Sequence, residues 1–392
     1  MACFFRSFAV FSRSRSHHGK DVDFHSSPDL CRRVVSRPPP PQDSCSHLRF
    51  RLFLTTPMAD AIVVKDLQRR FRHYEKKPGL FPTLKSVVWR EWNDVNAVDD
   101  ISFTVPEGSF VGFLGPNGAG KTTTLKMLSG ILTPTAGTCN VLGFTPHERK
   151  RAFKKQIGFV MGQKTQLIWD LPPTDTFVLH RDLYEIPRAQ WNETLATLTE
   201  LLRVEHVLST PVRQLSLGER MKCELITSLL HKPRVLFLDE PTIGLDVISQ
   251  MHLWEFLGTY QTKENITILL TSHYVHDIAN LCRDVIILNK GKKVFSGPFE
   301  SLIEKMEPER CGIIRFRKDQ LAKEQTEKIA KMVKERHLEQ IDPRTYRIAV
   351  PRCELSAATQ WMLKSFPIEE LRMEEVDLTE VIEKAFAMES RA

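Results

Sequence analysis

The sequence contains no apolar segment long enough to cross a membrane as a helix. Such a helix needs about 20 mostly apolar residues, whereas the apolar runs here, such as residues 235–238 and 266–270, have at most the length of buried strands. Metal-type spacings are also missing, because the eight cysteines are scattered and the histidines show no zinc pattern. Scattered cysteines are typical of reduced thiols. We therefore expect neither a membrane-embedded chain nor a zinc-dependent fold.

Most of the chain carries little net charge. Of the formal net charge of +7, residues 1–57 contribute +5, with nine basic residues against four acidic ones. The near-neutral remainder gives no support for nucleic-acid binding, and we expect no nucleic-acid partner. The basic, Ser-rich leader is compatible with organellar targeting, but it also carries four Asp residues. We favour a disordered leader or an upstream extension, with Met58 as a plausible second start.

A glycine-rich loop lies between a strand pattern at residues 111–114 and a helical pattern at residues 123–132. Its residues are Gly115, Pro116, Asn117, Gly118, Ala119, Gly120, Lys121 and Thr122. In such a turn, backbone N–H groups and the helix N-terminus point at phosphate oxygens. Lys121 can reach the β- and γ-phosphates, and the Thr122 hydroxyl can ligate Mg²⁺. The sequence therefore predicts a site for a nucleoside triphosphate.

Three further motifs follow along the chain, and each has a purely structural alternative. Asp239 and Glu240 end an apolar run, where they either serve Mg²⁺ and the attacking water or simply cap a strand. Ser216 and Glu219 flank Leu217 and Gly218 at a helix start, which also fits a capping box. His273 closes another apolar run, where a lone histidine is often just a polar residue.

In their order along the chain, and with Gln163 between the phosphate loop and the motif that begins at Ser216, these residues resemble the nucleotide-binding subunit of an ATP-binding cassette (ABC) transporter. The resemblance covers residues from about 62 to 297. It implies an α/β fold of the P-loop NTPase class, with a mixed sheet core and a helical subdomain at about residues 172–231. It also implies ATP and Mg²⁺ as cofactors.

The resemblance assigns a role to each motif. Residues 115–122 become the Walker A loop, continued by Thr123, and Asp239 and Glu240 close Walker B. Gln163 becomes the residue that senses the γ-phosphate and contacts the metal and the membrane partner, and His273 becomes the switch histidine. Catalysis is then expected from Glu240, His273, Gln163 and Lys121, and metal binding from Thr122, Gln163 and Asp239.

The resemblance also implies partners. Two cassettes are expected to pack head to tail, so that Ser216, Gly218 and Glu219 of the signature, with Asp246 of the D-loop, face ATP held by the other copy. The permease subunits are expected to be separate chains, which would hold this subunit at the cytoplasmic face of a membrane. Residues 169–171 follow Gln163 where the family grips its permease, although Trp169 could instead be a core residue.

Two signature positions depart from the commonest pattern. Leu217 stands where glycine is usual, and its side chain favours negative φ. Glu219 stands where glutamine is usual and brings negative charge toward the triphosphate, which Arg220 could compensate. The variant resembles cassettes of ABC-2 type exporters.

Aromatic side chains upstream of the Walker A loop are candidates to stack on adenine. Phe71 is preferred over Tyr74, although Phe71 could be an ordinary core residue of the same sheet. Apolar residues recur at helical spacing over residues 78–92 among basic ones, which favours an amphipathic helix. This helix would contact a membrane surface, a segment of the permease or its own cassette.

The chain divides in our prediction into a leader (1–57), the cassette (58–298) and a small C-terminal α+β domain (299–392) with a regulatory or dimer-stabilising role. Three functions remain open at this stage. They are the ATPase motor of an exporter, a soluble ABC ATPase not coupled to transport, and a regulatory cassette without hydrolysis. The retention of Lys121, Asp239, Glu240 and His273 argues against the last of these.

Overall fold

The computed structural model describes residues 59–74, 92–162, 164–272, 274–317, 321, 323–334 and 338–388. In chain order, the strands are Asp60–Tyr74 (β1), Trp92–Pro106 (β2), Phe110–Leu114 (β3), Ala136–Val141 (β4), Ile157–Met161 (β5), Val235–Asp239 (β6), Thr267–Thr271 (β7), Asp284–Asn289 (β8), Lys292–Pro298 (β9), Glu309–Phe316 (β10), Leu338–Gln340 (β11), Thr345–Pro351 (β12) and Ile368–Met373 (β13). The α-helices are Lys121–Leu128 (α1), Arg151–Lys154 (α2), Pro173–Tyr184 (α3), Arg188–Leu202 (α4), Leu217–Leu229 (α5), Val247–Glu264 (α6), Val275–Leu281 (α7), Phe299–Met306 (α8), Lys323–Lys334 (α9), Leu355–Ser365 (α10) and Leu378–Met388 (α11).

A six-stranded sheet forms the centre of the cassette, in the order β5-β6-β7-β3-β8-β9. Its first five strands are parallel, and β9 runs antiparallel to β8. Every residue of β3, β6 and β7 is buried, as expected for parallel strands covered on both faces. Because β7 lies between β3 and β6, the ends of these three strands meet at one edge of the sheet. The Walker A loop and the Walker B carboxylates both follow at that edge.

A second, antiparallel sheet of order β2-β1-β4 packs its apolar side chains with α1 and part of the central sheet. Ile62, Leu67, Ile101 and Phe113 are among the fully buried members of this cluster. The predicted amphipathic helix at residues 78–92 falls mainly on residues 75–91, which lie outside the described residues. Its last residue, Trp92, begins β2.

Helices α3, α4 and α5 occupy the region that the sequence predicts to be mostly helical. The amphipathic pattern of residues 191–208 predicts one long helical stretch there, and this prediction is wrong. Helix α4 instead ends at Leu202, since Arg203 adopts a left-handed conformation with φ of 55° and donates its N–H to the Glu200 carbonyl at 3.1 Å. No glycine marks this helix end in the sequence.

The C-terminal region forms a four-stranded antiparallel sheet of order β11-β12-β10-β13, with α9 and α10 connecting its strands. This βαββαβ arrangement has the ferredoxin-like topology. Strand β11 spans only three residues, which is too short to show a periodic pattern in the sequence. Phe316, Ile329 and Phe366 lie in the separate small core of this region.

Helices α8 and α11 connect this region to the cassette. Phe299 and Leu302 of α8, with Val381, Ile382 and Ala385 of α11, are buried in the same apolar cluster as the helical subdomain and the central sheet. The chain thus returns to the cassette at its last helix. The division at residue 298 stays a prediction, and a truncation at residue 308 would remove core side chains of the cassette. No helix of the described ranges is long and apolar enough to span a membrane.

Candidate functional site

The phosphate loop leaves β3 at Leu114, and α1 begins at Lys121, two residues earlier than the helical pattern predicted. Gly118 and Gly120 adopt φ values of 80° and 100°, a left-handed region that favours glycine. A Cβ at Gly120 would meet the Ala97 carbonyl, whereas a Cβ at Gly118 would have no neighbour within 4 Å. The outer side of the loop is therefore open, and its inner side is packed.

Lys121 is buried, and its Nζ donates to the carbonyls of Gly115 at 2.6 Å and Pro116 at 3.3 Å. Burial lowers the pKa of Lys121, and the charges of Glu240 and Asp239 oppose that change. The ammonium group therefore lies in the field of both Walker B carboxylates. A cation placed there is suited to compensating negative charge at the open side of the loop.

Asp239, at the end of β6, is the hub of the hydrogen bonds at this edge. Its Oδ1 accepts from the Thr122 hydroxyl at 2.8 Å and from the Thr271 hydroxyl at 2.8 Å. Thr271 ends β7, the strand between those of the two motifs. No local pattern in the sequence assigns a role to Thr271, because its contribution depends on the strand order.

Glu240 follows Asp239 in a left-handed conformation, with φ of 54°. This conformation costs on the order of 1–3 kcal/mol for a residue other than glycine, and the following Pro241 disfavours helical conformations further. The Glu240 N–H donates to Thr271, to the carbonyl at 3.1 Å and to the hydroxyl at 3.0 Å. Thr271 therefore fixes the backbone of Glu240 as well as the carboxylate of Asp239.

Gln163 and His273 lie outside the described residues, and their roles stay predictions. Their neighbours show how the two segments approach Walker B. Gly162 donates its N–H to the Asp239 carbonyl at 2.8 Å, and a Cβ at this position would collide with the Glu240 carbonyl. Glycine is therefore needed where the Gln163 segment crosses Walker B, a requirement that the sequence analysis did not identify.

The signature turn forms the capping box that the sequence predicts. The Ser216 hydroxyl accepts from the Glu219 N–H, and the Glu219 carboxylate accepts from the Ser216 N–H at 2.9 Å. Hydrogen bonds from Ser216, and a weaker contribution from His206 at 3.2 Å, lower the pKa of Glu219. The negative charge of Glu219 is therefore stabilised by hydrogen bonds within its own turn.

Leu217 is accommodated because it is the first residue of α5 and is not among the residues with positive φ. Gly218 is buried against the Ser249 side chain, at the start of α6. Asp246, predicted to face nucleotide, caps α6 by accepting from the N–H of Ser249 at 2.9 Å and from its hydroxyl at 2.7 Å. The signature and the D-loop thus pack against each other within one chain.

Comparisons with known proteins agree with this geometry. A family model described as ABC transporter matches residues 98–243. The Nod factor export ATP-binding protein I of Ralstonia nicotianae is 34% identical over 237 residues, which cover 59% of this chain and 73% of that protein. NatA, an ABC transporter ATP-binding protein of Bacillus subtilis, is 33% identical over 220 residues, 56% of this chain and 89% of NatA.

This chain belongs to the ABC transporter ATP-binding family. A further relative, the probable multidrug ABC transporter ATP-binding protein YbhF of Escherichia coli, is 32% identical over 213 residues, and the chain spans only 36% of its length. Among solved structures, an ATP-binding subunit of an ABC transporter aligns with a TM-score of 0.52 at 24% identity, over 62% of this chain and 92% of that one. A dimeric ATP-binding cassette bound to ADP and Pi aligns at 0.51 and 19% identity, over 60% of this chain and 98% of that one. The predicted cassette fold is confirmed.

The residues of this ABC cassette suit the ligands that the sequence predicts. Thr122 and Asp239 supply a hydroxyl and a carboxylate 2.8 Å apart, and Mg²⁺ prefers such oxygen donors and completes its shell with water and phosphate. Among the described residues there is no group of three or more His, Cys, Asp or Glu side chains suited to a metal. The open Gly118 face and the buried Lys121 ammonium provide the complementary site for phosphate.

Phe71, the predicted adenine-stacking residue, is half-buried on β1. The Arg69 guanidinium lies over its ring, 4.7 Å from the centroid, and is itself tied to the Thr133 carbonyl at 2.8 Å. Phe71 is therefore not a fully buried core residue. Stacking of adenine on this ring stays a prediction, and the side chain of Tyr74 lies outside the described residues.

Proposed function

We propose that the chain is the ATP-hydrolysing nucleotide-binding subunit of an ABC exporter, which drives transport through separate permease subunits. The observation that carries this proposal is the convergence of Lys121, Thr122, Asp239 and Glu240 at one edge of the sheet, bridged by Thr271. A regulatory cassette without hydrolysis would not need this complete set. Membership of the ABC family supports the same conclusion.

The residues divide the work of phosphoryl transfer, which needs mostly positioning and charge neutralisation from the protein. Lys121 and the loop N–H groups would bind the phosphates, and Thr122 and Asp239 would hold Mg²⁺. The metal supplies charge neutralisation when it is bound. Glu240 orients the attacking water and accepts its proton, and Gln163 and His273 complete the site.

The signature acts on the nucleotide of a second copy in this proposal. Ser216 is exposed, whereas Lys121 and Asp239 are buried at the catalytic edge of their own chain. The N-terminus of α5, with Ser216 and Gly218, is suited to an anion supplied from outside the chain. ATP then stabilises a dimer of cassettes, and hydrolysis removes that stabilisation.

An exposed apolar surface beside the signature helix is suited to a permease partner. Ile168, Trp169 and Leu171 are exposed apolar residues, with 49% of Trp169 accessible, so Trp169 is not a core residue. Backbone bonds from residues 212 and 213 hold this turn to the start of the signature region, and the Arg220 guanidinium of α5 lies 5.8 Å from the Trp169 ring centroid. A movement of a docked permease would therefore be transmitted to the signature helix through these contacts. Docking would also keep the subunit at the cytoplasmic face of the membrane.

The direction of transport rests on the Nod factor export ATP-binding protein I, a relative whose name refers to export. We extend that direction to this chain as a proposal. Selectivity would lie in the permease, so no transported molecule follows from these residues.

The decisive test is Glu240→Gln in the full chain with MgATP. Without the carboxylate, hydrolysis should fall by about two orders of magnitude or more, while ATP binding persists, so the variant should elute as a dimer in size-exclusion chromatography. The matched control is Glu240→Gln with Lys121→Ala, which should remain monomeric because it loses the phosphate contact. Undiminished turnover of Glu240→Gln would remove Glu240 from the catalytic role.

A further inference from the structure

Asp277 is a buried carboxylate on α7 that neither the Walker motifs nor the signature includes. Only 2% of the residue is exposed. Its Oδ2 accepts two hydrogen bonds, from the Thr242 hydroxyl at 2.7 Å and from the Ser272 hydroxyl at 2.8 Å. The two donors are 30 residues apart in the sequence and are both buried.

Each donor lies beside a catalytic position. Thr242 is two residues after Glu240, in the turn that leads to the D-loop. Ser272 immediately precedes His273, and its hydroxyl also accepts from the Tyr274 N–H at 2.9 Å. One carboxylate oxygen therefore joins the segment that carries the proposed base to the segment that carries the proposed switch histidine.

Burying a carboxylate is unfavourable unless hydrogen bonds compensate for the lost water. Desolvation raises the pKa of Asp277, and the bonds from Thr242 and Ser272 oppose that change. An apolar side chain would fill the same space without this penalty, so packing alone does not explain an acid here. The hydrogen bonds to the two segments give it a role.

We propose that Asp277 is a positioning residue for ATP hydrolysis, which holds the Glu240 and His273 segments in one register. This inference rests on the proposed function. Thr271 holds the Glu240 N–H from the sheet side, and Asp277 holds the Thr242 side chain, two residues later, from the helix side. A left-handed glutamate persists only where its surroundings determine its conformation, and the two contacts together provide this constraint.

The test compares Asp277→Asn with Asp277→Leu in the full chain. Asparagine keeps an oxygen that can accept from both hydroxyls, so its kcat should stay close to that of the unchanged protein. Leucine removes the acceptor, and kcat should fall about tenfold or more, because small displacements of catalytic groups are costly. The KM for ATP should change little in either variant, since Lys121 and the phosphate loop are untouched.

Variants of the two donors keep the inference testable if Asp277→Leu folds poorly. Thr242→Val and Ser272→Ala should each lower kcat and leave the KM for ATP nearly unchanged, and full kcat in both would overturn the inference. Where Asp277→Leu does fold, a double-mutant cycle applies, and adding either change to it should cause no further loss of kcat. Losses that simply multiply in those leucine double variants, or equal kcat values for the leucine variant and the unchanged protein, would also overturn it.

The outcome is separable from that of the proposed function. An unchanged chain that does not hydrolyse ATP, alone or with its permease, would refute the motor function itself. An active chain whose Asp277→Leu variant loses ATP affinity and kcat in parallel would indicate a merely structural role and overturn only the inference.

Discussion

The catalytic edge and the signature turn are two halves of one proposed nucleotide site, and they are built in different ways. At the catalytic edge, Asp239 accepts hydrogen bonds from Thr271, which is 32 positions away in the chain, and from Thr122, which is 117 positions away. At the signature turn, Ser216 and Glu219 bond each other across three positions. The first half depends on the whole fold, and the second depends on local sequence.

This difference explains what each half can do alone. The catalytic edge places its charges in a buried network that a single chain completes. The signature turn is exposed, and its Glu219 carboxylate accepts a hydrogen bond from Ser216 of the same turn. The turn can therefore form without a partner chain. Changes at the catalytic edge should therefore alter turnover strongly, whereas changes at the signature turn should separate into local stability and contact with a second chain.

The largest effect is expected for Thr271→Val, which preserves shape but removes the hydroxyl that serves Asp239 and Glu240. Turnover should fall by about a hundredfold, with a loss of about 1–3 kcal/mol in the free energy of unfolding. Thr267→Val is the matched control, because Thr267 is buried at the other end of the same strand and accepts from the Gly108 N–H at 2.9 Å. It should lose stability and keep its turnover. Equal turnover in both variants would contradict the role of Thr271.

A smaller effect is expected at Ser216, and it should differ between the free energy of unfolding and the ATPase turnover. Ser216→Ala removes the N-cap and should cost about 1 kcal/mol of unfolding free energy, whereas Ser216→Asn keeps a good cap and should cost little. Both remove the hydroxyl, so both should lower MgATP turnover. Full turnover in the asparagine variant would show that Ser216 acts only as a cap. Urea unfolding and steady-state ATPase assays separate the two readouts.

The smallest effect is expected for Glu219→Gln, since glutamine also forms a capping box. At pH 7 the free energy of unfolding should change by less than about 0.5 kcal/mol. The folded-state pKa of Glu219 lies below its ordinary value of 4.5, so the carboxylate stabilises the protein above that value, and this contribution is lost as the pH falls further. Urea unfolding at pH 6 and pH 4 should therefore show that the free energy of unfolding decreases less between these pH values in the variant than in the unchanged protein. A larger decrease in the variant would contradict this linkage.

Local patterns predicted the short-range structural features of both halves. The loop from Gly115 to Thr122, the strand ending at Asp239 and the capping box at Ser216 all follow from residue types at short spacing. The contributions of Thr271 and Asp277 could not be predicted, because they depend on β7 lying between β3 and β6 and on where α7 packs. The collision that requires Gly162 is a tertiary contact of the same kind.

Other features of the fold that the sequence pattern did not reveal also have physical causes. Arg203 ends α4 in a left-handed conformation without a glycine to signal it. Strand β11 is stabilised by pairing with β12 rather than by its own pattern. The return of α11 to the cassette core depends on Val381, Ile382 and Ala385, and nothing in their spacing distinguishes packing on the cassette from packing on the small sheet.

Mixing two inactive variants tests most directly the claim that each complete site takes residues from two chains. Lys121→Ala disables the phosphate loop, and Ser216→Arg blocks the exposed turn while its guanidinium can pair with Glu219. Each variant alone should be inactive. On mixing, ATPase activity should return to about a quarter of that of the unchanged protein, since half of the dimers are mixed and each has one complete site. Mixtures that stay as inactive as their components, although mixed dimers form, would contradict the account.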